Sequence, residues 1–246
     1  SNFAMGKTTV KLQNGKVLDF ADGATGFDVV MATEPHNVDV YIACKVNGEV
    51  RDLNRRLPEC EVQFEPVRFD SQEGLTVMRH SCAHILAGAV KRRFPGTSLG
   101  VGPAIEDGFY YDLDCPRTLT PDDLAAIEEE MQKIIDADFK FERFELPKDK
   151  AIELCKQLGE KYKVEMLEQD IPEAVVSFYK DGDFTDLCAG PHVPSSKWIK
   201  AFKLLRVSGA YWKGDENRNM MQRVYGTAFH TKEAVEEYIH RLEEAK

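Results

Sequence analysis

Two short stretches, Met78-Arg79-His80-Ser81-Cys82-Ala83-His84 and Asp186-Leu187-Cys188-Ala189-Gly190-Pro191-His192, hold three of the chain's six histidines. His-x-x-x-His places both imidazoles on one face of any helix, because residues four apart lie one turn above the other. The second stretch sets a thiol and an imidazole at the same spacing, next to a carboxylate. Imidazole and carboxylate together suit proton transfer in hydrolysis. Three imidazoles and a thiolate also suit tetrahedral zinc, so His80, His84, Cys188 and His192 are the candidate ligands if a metal is held. A full tetrad would leave no position open for water and would point to a structural site rather than a catalytic one. The bland reading is two solvated surface imidazoles.

The elements that must position these groups follow from the surrounding pattern. Leu75, Met78, Cys82, Ile85 and Ala89 form an apolar stripe at helical spacing, with His80 and His84 on nearly the opposite side. Val175–Lys180 and Asp183–Cys188 read as a hairpin whose alternation gathers Ser177, Tyr179, Asp186 and Cys188 on one face, with His192 on the loop beyond. Leu99–Ile105 and Phe109–Leu113 read as a second hairpin, in which Gly102 and Ala104 share a face with Tyr111. A glycine beside an aromatic leaves room for a flat ligand or for the close approach of a helix. Thr120-Pro121-Asp122-Asp123 is a helix start, with a capping threonine, a proline at the first position and acids in the first turn. Helices are also expected over Lys148–Leu158 and from Thr231 to the end, and a short strand over Tyr162–Leu167.

At 246 residues, 43% hydrophobic and 30% charged, the sequence fits a soluble globular protein of two domains, with no apolar run long enough for a membrane span and no secretory signal; the expected location is cytoplasmic. Its six cysteines form no C-x-x-C pair, so neither a disulfide framework nor a zinc ribbon is indicated. A net charge of −10 excludes wholesale coating of nucleic acid. Such a partner must meet local basic groups, for which Lys91-Arg92-Arg93 and Lys197, Lys200, Lys203 and Arg206 are the candidates. Ser1-Asn2-Phe3-Ala4 before Met5 reads as a remnant of tag removal. Beyond it, strands around Asn14-Gly15 and Asn47-Gly48 turns, a helix near Gly26–Thr33 and a strand at Glu61–Phe64 predict a small mixed sheet on one helix, resembling a ubiquitin-like β-grasp domain of the TGS type. Residues 66–73 read as the linker. The final helix ends without a terminating glycine or proline and is expected to continue into something else.

His80-Ser81-Cys82-Ala83-His84, Gly108-Phe109-Tyr110-Tyr111-Asp112, Cys188-Ala189-Gly190-Pro191-His192-Val193-Pro194, Gly209-Ala210-Tyr211-Trp212-Lys213-Gly214-Asp215 and Gln222-Arg223-Val224-Tyr225-Gly226-Thr227-Ala228 together resemble the N-terminal portion of bacterial-type threonyl-tRNA synthetases. A related histidine and cysteine pattern occurs in alanyl-tRNA editing proteins; Pro191 and the N-terminal β-grasp pattern favour the threonyl family. The resemblance implies an α+β chain: a TGS-like β-grasp domain over residues 6–68, an editing domain with antiparallel sheet and packed helices over 69–230, and over 231–246 the start of a linker helix toward a catalytic core that does not follow. It implies hydrolysis of the ester of seryl-tRNA(Thr), without aminoacylation by this fragment. By resemblance the catalytic set is His80, His84, Lys163, Asp186, Cys188 and His192, with Tyr111, Tyr179 and Gly102 lining the substrate cleft. No cofactor is expected, and the partner is the aminoacylated 3′ end of tRNA. A full-length parent would be a homodimer through the missing core, and the fragment a monomer. The alternatives are a zinc-dependent hydrolase or structural zinc domain, and a non-catalytic RNA-binding module.

Overall fold

The computed structural model describes residues 6–246 and is α+β; Ser1–Met5, including the tag-like Ser1–Ala4, lie outside the described residues. Two compact units divide the chain, one reaching Val77 and including Gly190–Pro194, the other comprising Met78–Ala189 and Ser195–Lys246.

In the first unit, β1 (Thr8–Leu12), β2 (Val17–Phe20), α1 (Gly26–Thr33), β3 (Tyr41–Val46), β4 (Glu49–Asp52) and β5 (Glu61–Arg68) follow one another. The five strands form one sheet in the order β2-β1-β5-β3-β4, in which β1 and β5 are parallel and the other pairs antiparallel. Both Asn-Gly turns fall where the sequence places them. Asn47 and Gly48 carry positive φ, the conformation that matches a tight turn to strand twist. Thr25 and Asp28 close a capping box on α1, and Val10, Val29, Val30, Val62 and Phe64 fill the core beneath it.

The second unit contains most of α2 (Gln72–Arg93), then β6 (Ser98–Leu99), β7 (Ala104–Ile105), β8 (Gly108–Asp114), α3 (Pro121–Asp136), β9 (Glu142–Pro147), α4 (Lys148–Gln157), α5 (Lys161–Gln169), β10 (Val175–Asp181), β11 (Phe184–Leu187), β12 (Ala201–Tyr211), β13 (Met220–Phe229) and α6 (Lys232–Glu244). One sheet runs β11-β10-β9 and the other β12-β13-β8-β6, with β7 paired to β8. All pairings in both sheets are antiparallel.

Helix α2 reaches both sheets, through Arg79 Nε to the Ala228 carbonyl of β13 at 2.9 Å and through Gly88 against the Phe184 ring of β11. From Val77 to Val90 every residue except His80 is buried. The expected one-sided apolar stripe is therefore corrected: packing partners surround the helix, so His84 is interior too and His80 is partly covered.

A second correction concerns Tyr162–Leu167, which is helix, not strand. Tyr162 and Met166 pack with Trp212 and Met221, while Val164 and Leu167 pack with Cys155 and Phe178. One short helix feeding two small cores places apolar residues at nearly alternate positions, which mimics the period of a strand.

In the second sheet Gly226 pairs with Phe109, and a methyl group at Gly226 would overlap the Phe109 ring. That ring is fully buried and has nowhere to go. Gly226→Ala should cost about 1–3 kcal/mol, read as a lower urea midpoint with unchanged slope. An unaltered midpoint would mean that the β8–β13 pair yields freely.

Candidate functional site

Three elements of the second unit bring the sequence-predicted groups together. Helix α2 supplies His80 and His84, the β10–β11 hairpin supplies Tyr179, Asp186 and Cys188, and α5 supplies Lys163. Tyr179 and Asp186 are directly paired across the hairpin, and Ser177 and Cys188 bond one step further along, from the Cys188 N–H to the Ser177 carbonyl at 3.1 Å and from Ser177 Oγ to the Cys188 carbonyl at 2.6 Å. The face predicted from alternation is therefore real, and it is held from both ends.

His80 bridges two neighbours. Its Nδ1 lies 3.1 Å from the Gly102 carbonyl and its Nε2 lies 3.0 Å from Cys188 Sγ. A carbonyl only accepts, so Nδ1 carries the proton and Nε2 presents its lone pair to the thiol. Burial depresses the imidazole pKa to about 4, outweighing the raising effect of the Gly102 bond. His80 is thus a neutral base of fixed tautomer at neutral pH. Gly102 contributes its carbonyl to this arrangement, and the Tyr111 ring fills the space a side chain there would need.

Near the imidazole lies an ion pair joined by a tyrosine hydroxyl. Asp186 Oδ2 accepts from the Tyr111 hydroxyl at 2.5 Å, and Asp186 Oδ1 lies 3.3 Å from Lys163 Nζ. Lys163 Nζ also donates to the Leu187 carbonyl at 3.4 Å and stands 5.6 Å from the centroid of the Tyr111 ring. Lys163 and Asp186 are 4% and 5% exposed, so ammonium and carboxylate neutralise one another in a poorly solvated place. Burial raises the Tyr111 pKa well above its ordinary value, so its hydroxyl stays a donor.

His84 is only 2% exposed and overturns the reading of two solvated imidazoles. Its Nε2 lies 2.6 Å from Asp181 Oδ1, and Phe141 and Phe184 flank the ring at 5.0 and 4.8 Å between centroids. This contact ties α2 to the end of β10 one turn away from His80. His84 Nε2 is engaged with Asp181 Oδ1. His192 is buried and belongs with the first unit, where its backbone N–H donates to Asp52 Oδ1 at 2.9 Å. Asp181 went unread in the sequence because its place before Gly182 looked like ordinary turn chemistry.

A cavity of about 380 Å³ adjoins Cys188 and Ser177. Met166, Ile171, Val175, Val176 and Leu187 supply apolar wall, and Arg143, Glu145 and Glu173 supply charge. Of the site's groups, Cys188 lines this cavity. A neutral base against a thiol, next to an ammonium–carboxylate pair, supplies the parts that ester or amide hydrolysis uses.

Residues 176–225, the stretch from β10 into β13, match the family model described as the threonyl and alanyl tRNA synthetase second additional domain. The chain is similar to threonine–tRNA ligases over nearly its whole length. It is 49% identical over 239 residues to the threonine–tRNA ligase of Clostridioides difficile, covering 96% of this chain. It is 50% identical over 238 residues to that of Clostridium tetani and 47% identical over 233 residues to that of Nitratidesulfovibrio vulgaris. The chain spans only about 37% of the length of the first of these. No helix among the described residues is long and apolar enough to cross a membrane.

Proposed function

We propose that this chain hydrolyses the ester of seryl-tRNA(Thr), as the editing portion of a threonine–tRNA ligase. The observation that carries the reading is His80, a half-buried neutral imidazole whose Nε2 lone pair faces Cys188 beside the Lys163–Asp186 pair. In the proposed reaction water attacks the ester carbonyl and gives its proton to His80 Nε2. Lys163 stabilises the oxyanion that forms, and Asp186 holds the ammonium of the seryl group. The bond to the ribose oxygen then breaks, the ribose hydroxyl regains the proton and serine leaves as the free acid. His84 fixes the helix that carries the base, and Tyr111 and Tyr179 bound the site. The sheet order of the first unit, with its single parallel pair and one covering helix, supports a TGS-type β-grasp domain over residues 6–68. Residues 69–230 are assigned to the editing domain.

Release of serine from purified seryl-tRNA(Thr) tests the proposal, and binding without turnover would favour the RNA-binding module instead. Metal analysis tests the remaining reading. Purified protein is expected to carry no stoichiometric zinc, and one zinc per chain lost together with activity on chelation would transfer the mechanism to a metal. Binding of tRNA should be weak and salt-sensitive, because exposed Lys197 and Lys200 are local cations on an acidic body. Affinity that stays constant between low and moderate salt would contradict this, and reversing both lysines to Glu should weaken binding with the fold intact.

A further inference from the structure

Helix α5 has nine residues and no side-chain cap at its start, too short to hold its shape unaided. It nevertheless carries the buried Lys163. What fixes it lies on its other side, where Tyr162 and Glu165, three residues apart, share a face that Lys163 does not.

The Glu165 carboxylate accepts from Trp212 Nε1 at 2.8 Å, from Lys213 Nζ at 3.2 Å and from Arg218. The Tyr162 hydroxyl donates to Asp114 at 2.6 Å and accepts from Asn219 Nδ2 at 2.8 Å. Trp212, Lys213, Arg218 and Asn219 all belong to the connection between β12 and β13. Lys213 there has φ +58, a left-handed conformation uncommon for a residue with a side chain, and its ammonium is held by Asp170 at 2.7 Å as well as by Glu165. The same connection thus grips α5 at its first turn, its middle and its end. These bonds hold the Glu165 carboxyl down at about 2, with the Arg218 contact the largest cause, so the acceptor is a full anion at neutral pH.

We propose that Glu165 is a positioning residue: through the β12–β13 connection it locks α5 so that Lys163 Nζ is aimed at Asp186 and the reacting ester. The inference rests on the hydrolytic reading of the site. It gives the Tyr211-Trp212-Lys213-Gly214-Asp215 stretch, which contributes no group to the reaction, a part in setting catalytic geometry.

Glu165→Ala should lower kcat for seryl-tRNA(Thr) hydrolysis by about 10- to 100-fold, the scale of a misplaced catalytic group, with KM changed less than about twofold. In a Lys163→Ala background the same change should have almost no further effect, because the group being aimed is gone. Two readouts need no turnover. Lys163 should become reactive toward an amine-acylating reagent, followed by mass spectrometry, and amide exchange over residues 161–169 should quicken while α2 stays protected. Glu165→Gln, which keeps one acceptor for Trp212, should be intermediate in each measurement and serves if the alanine variant folds poorly. Equal losses of kcat with and without Lys163 would overturn the proposal, as would unchanged Lys163 reactivity or exchange that quickens throughout the domain. If the unaltered chain hydrolyses no seryl ester, the functional reading has failed, and Lys163 reactivity and exchange alone decide whether the clamp exists.

Discussion

His80→Ala should slow hydrolysis of seryl-tRNA(Thr) by at least about a hundredfold, the scale expected for loss of one positioned general base. The substitution removes the lone pair that faces Cys188 and leaves the thiol and the Gly102 carbonyl, both neutral, so the fold should survive. That makes it a cleaner probe than Lys163→Ala, which strips a buried carboxylate of its charged partner. The pH profile adds a second, independent readout. Because burial holds His80 at about 4, the single-turnover rate should stay level through pH 6.5 and fall only as the pH approaches that value. The sign for stability follows from the same depression. Below about 6.5 the unfolded chain takes up a proton that the folded chain refuses, so stability falls as the pH drops and the loss is complete near 4. At about 1.4 kcal/mol per pH unit, the contribution is of the order of 3 kcal/mol. Urea unfolding at a series of pH values should show this slope in the unaltered chain and a shallower one in His80→Ala. A rate midpoint near 6.5 would mean that a solvated histidine, and not His80, is the base.

The sequence made some of this legible because the signals were local. Thr120 announces its helix as a capping threonine before a proline and acids, and the Asn-Gly turns set hairpin register, so those elements stand where the pattern puts them. The face shared by Ser177, Tyr179, Asp186 and Cys188 follows from a period of two and needs only the hairpin to exist. Partnerships between distant segments were not readable. Tyr111 and Asp186 each stood out, but nothing at a separation of 75 residues says that one donates to the other. His84 and Asp181, 97 residues apart, are the same case. Lys163 emerged only through family resemblance, and on the wrong kind of element, because α5 divides its apolar residues between two cores. Glu165 gave no signal at all, since a glutamate on an amphipathic helix ordinarily faces solvent.

Selectivity should be the other large effect: seryl ester on threonine tRNA should be hydrolysed about ten to a hundred times faster than threonyl ester on the same tRNA. Serine lacks only the methyl group of threonine, and a pocket shaped for the larger side chain rejects the smaller by only about 1–3 kcal/mol. A second site must apply the opposite test and exclude the methyl group by its bulk. Exclusion requires a wall that does not yield. Tyr179 is fully buried, and the backbone at Cys188 is fixed on both sides by its two bonds to Ser177. The His80 imidazole, itself tied to Gly102, closes on the thiol. An extra methyl group against such a surface meets the usual overpacking cost of about 1–3 kcal/mol, or displaces the water that must attack. Each 1.4 kcal/mol or so is a factor of about ten in rate, which sets the expected range. Single-turnover rates with the two charged tRNAs, measured side by side, decide the matter: equal rates would mean that no sieve exists in this chain, and faster loss of threonine would overturn the proposed function.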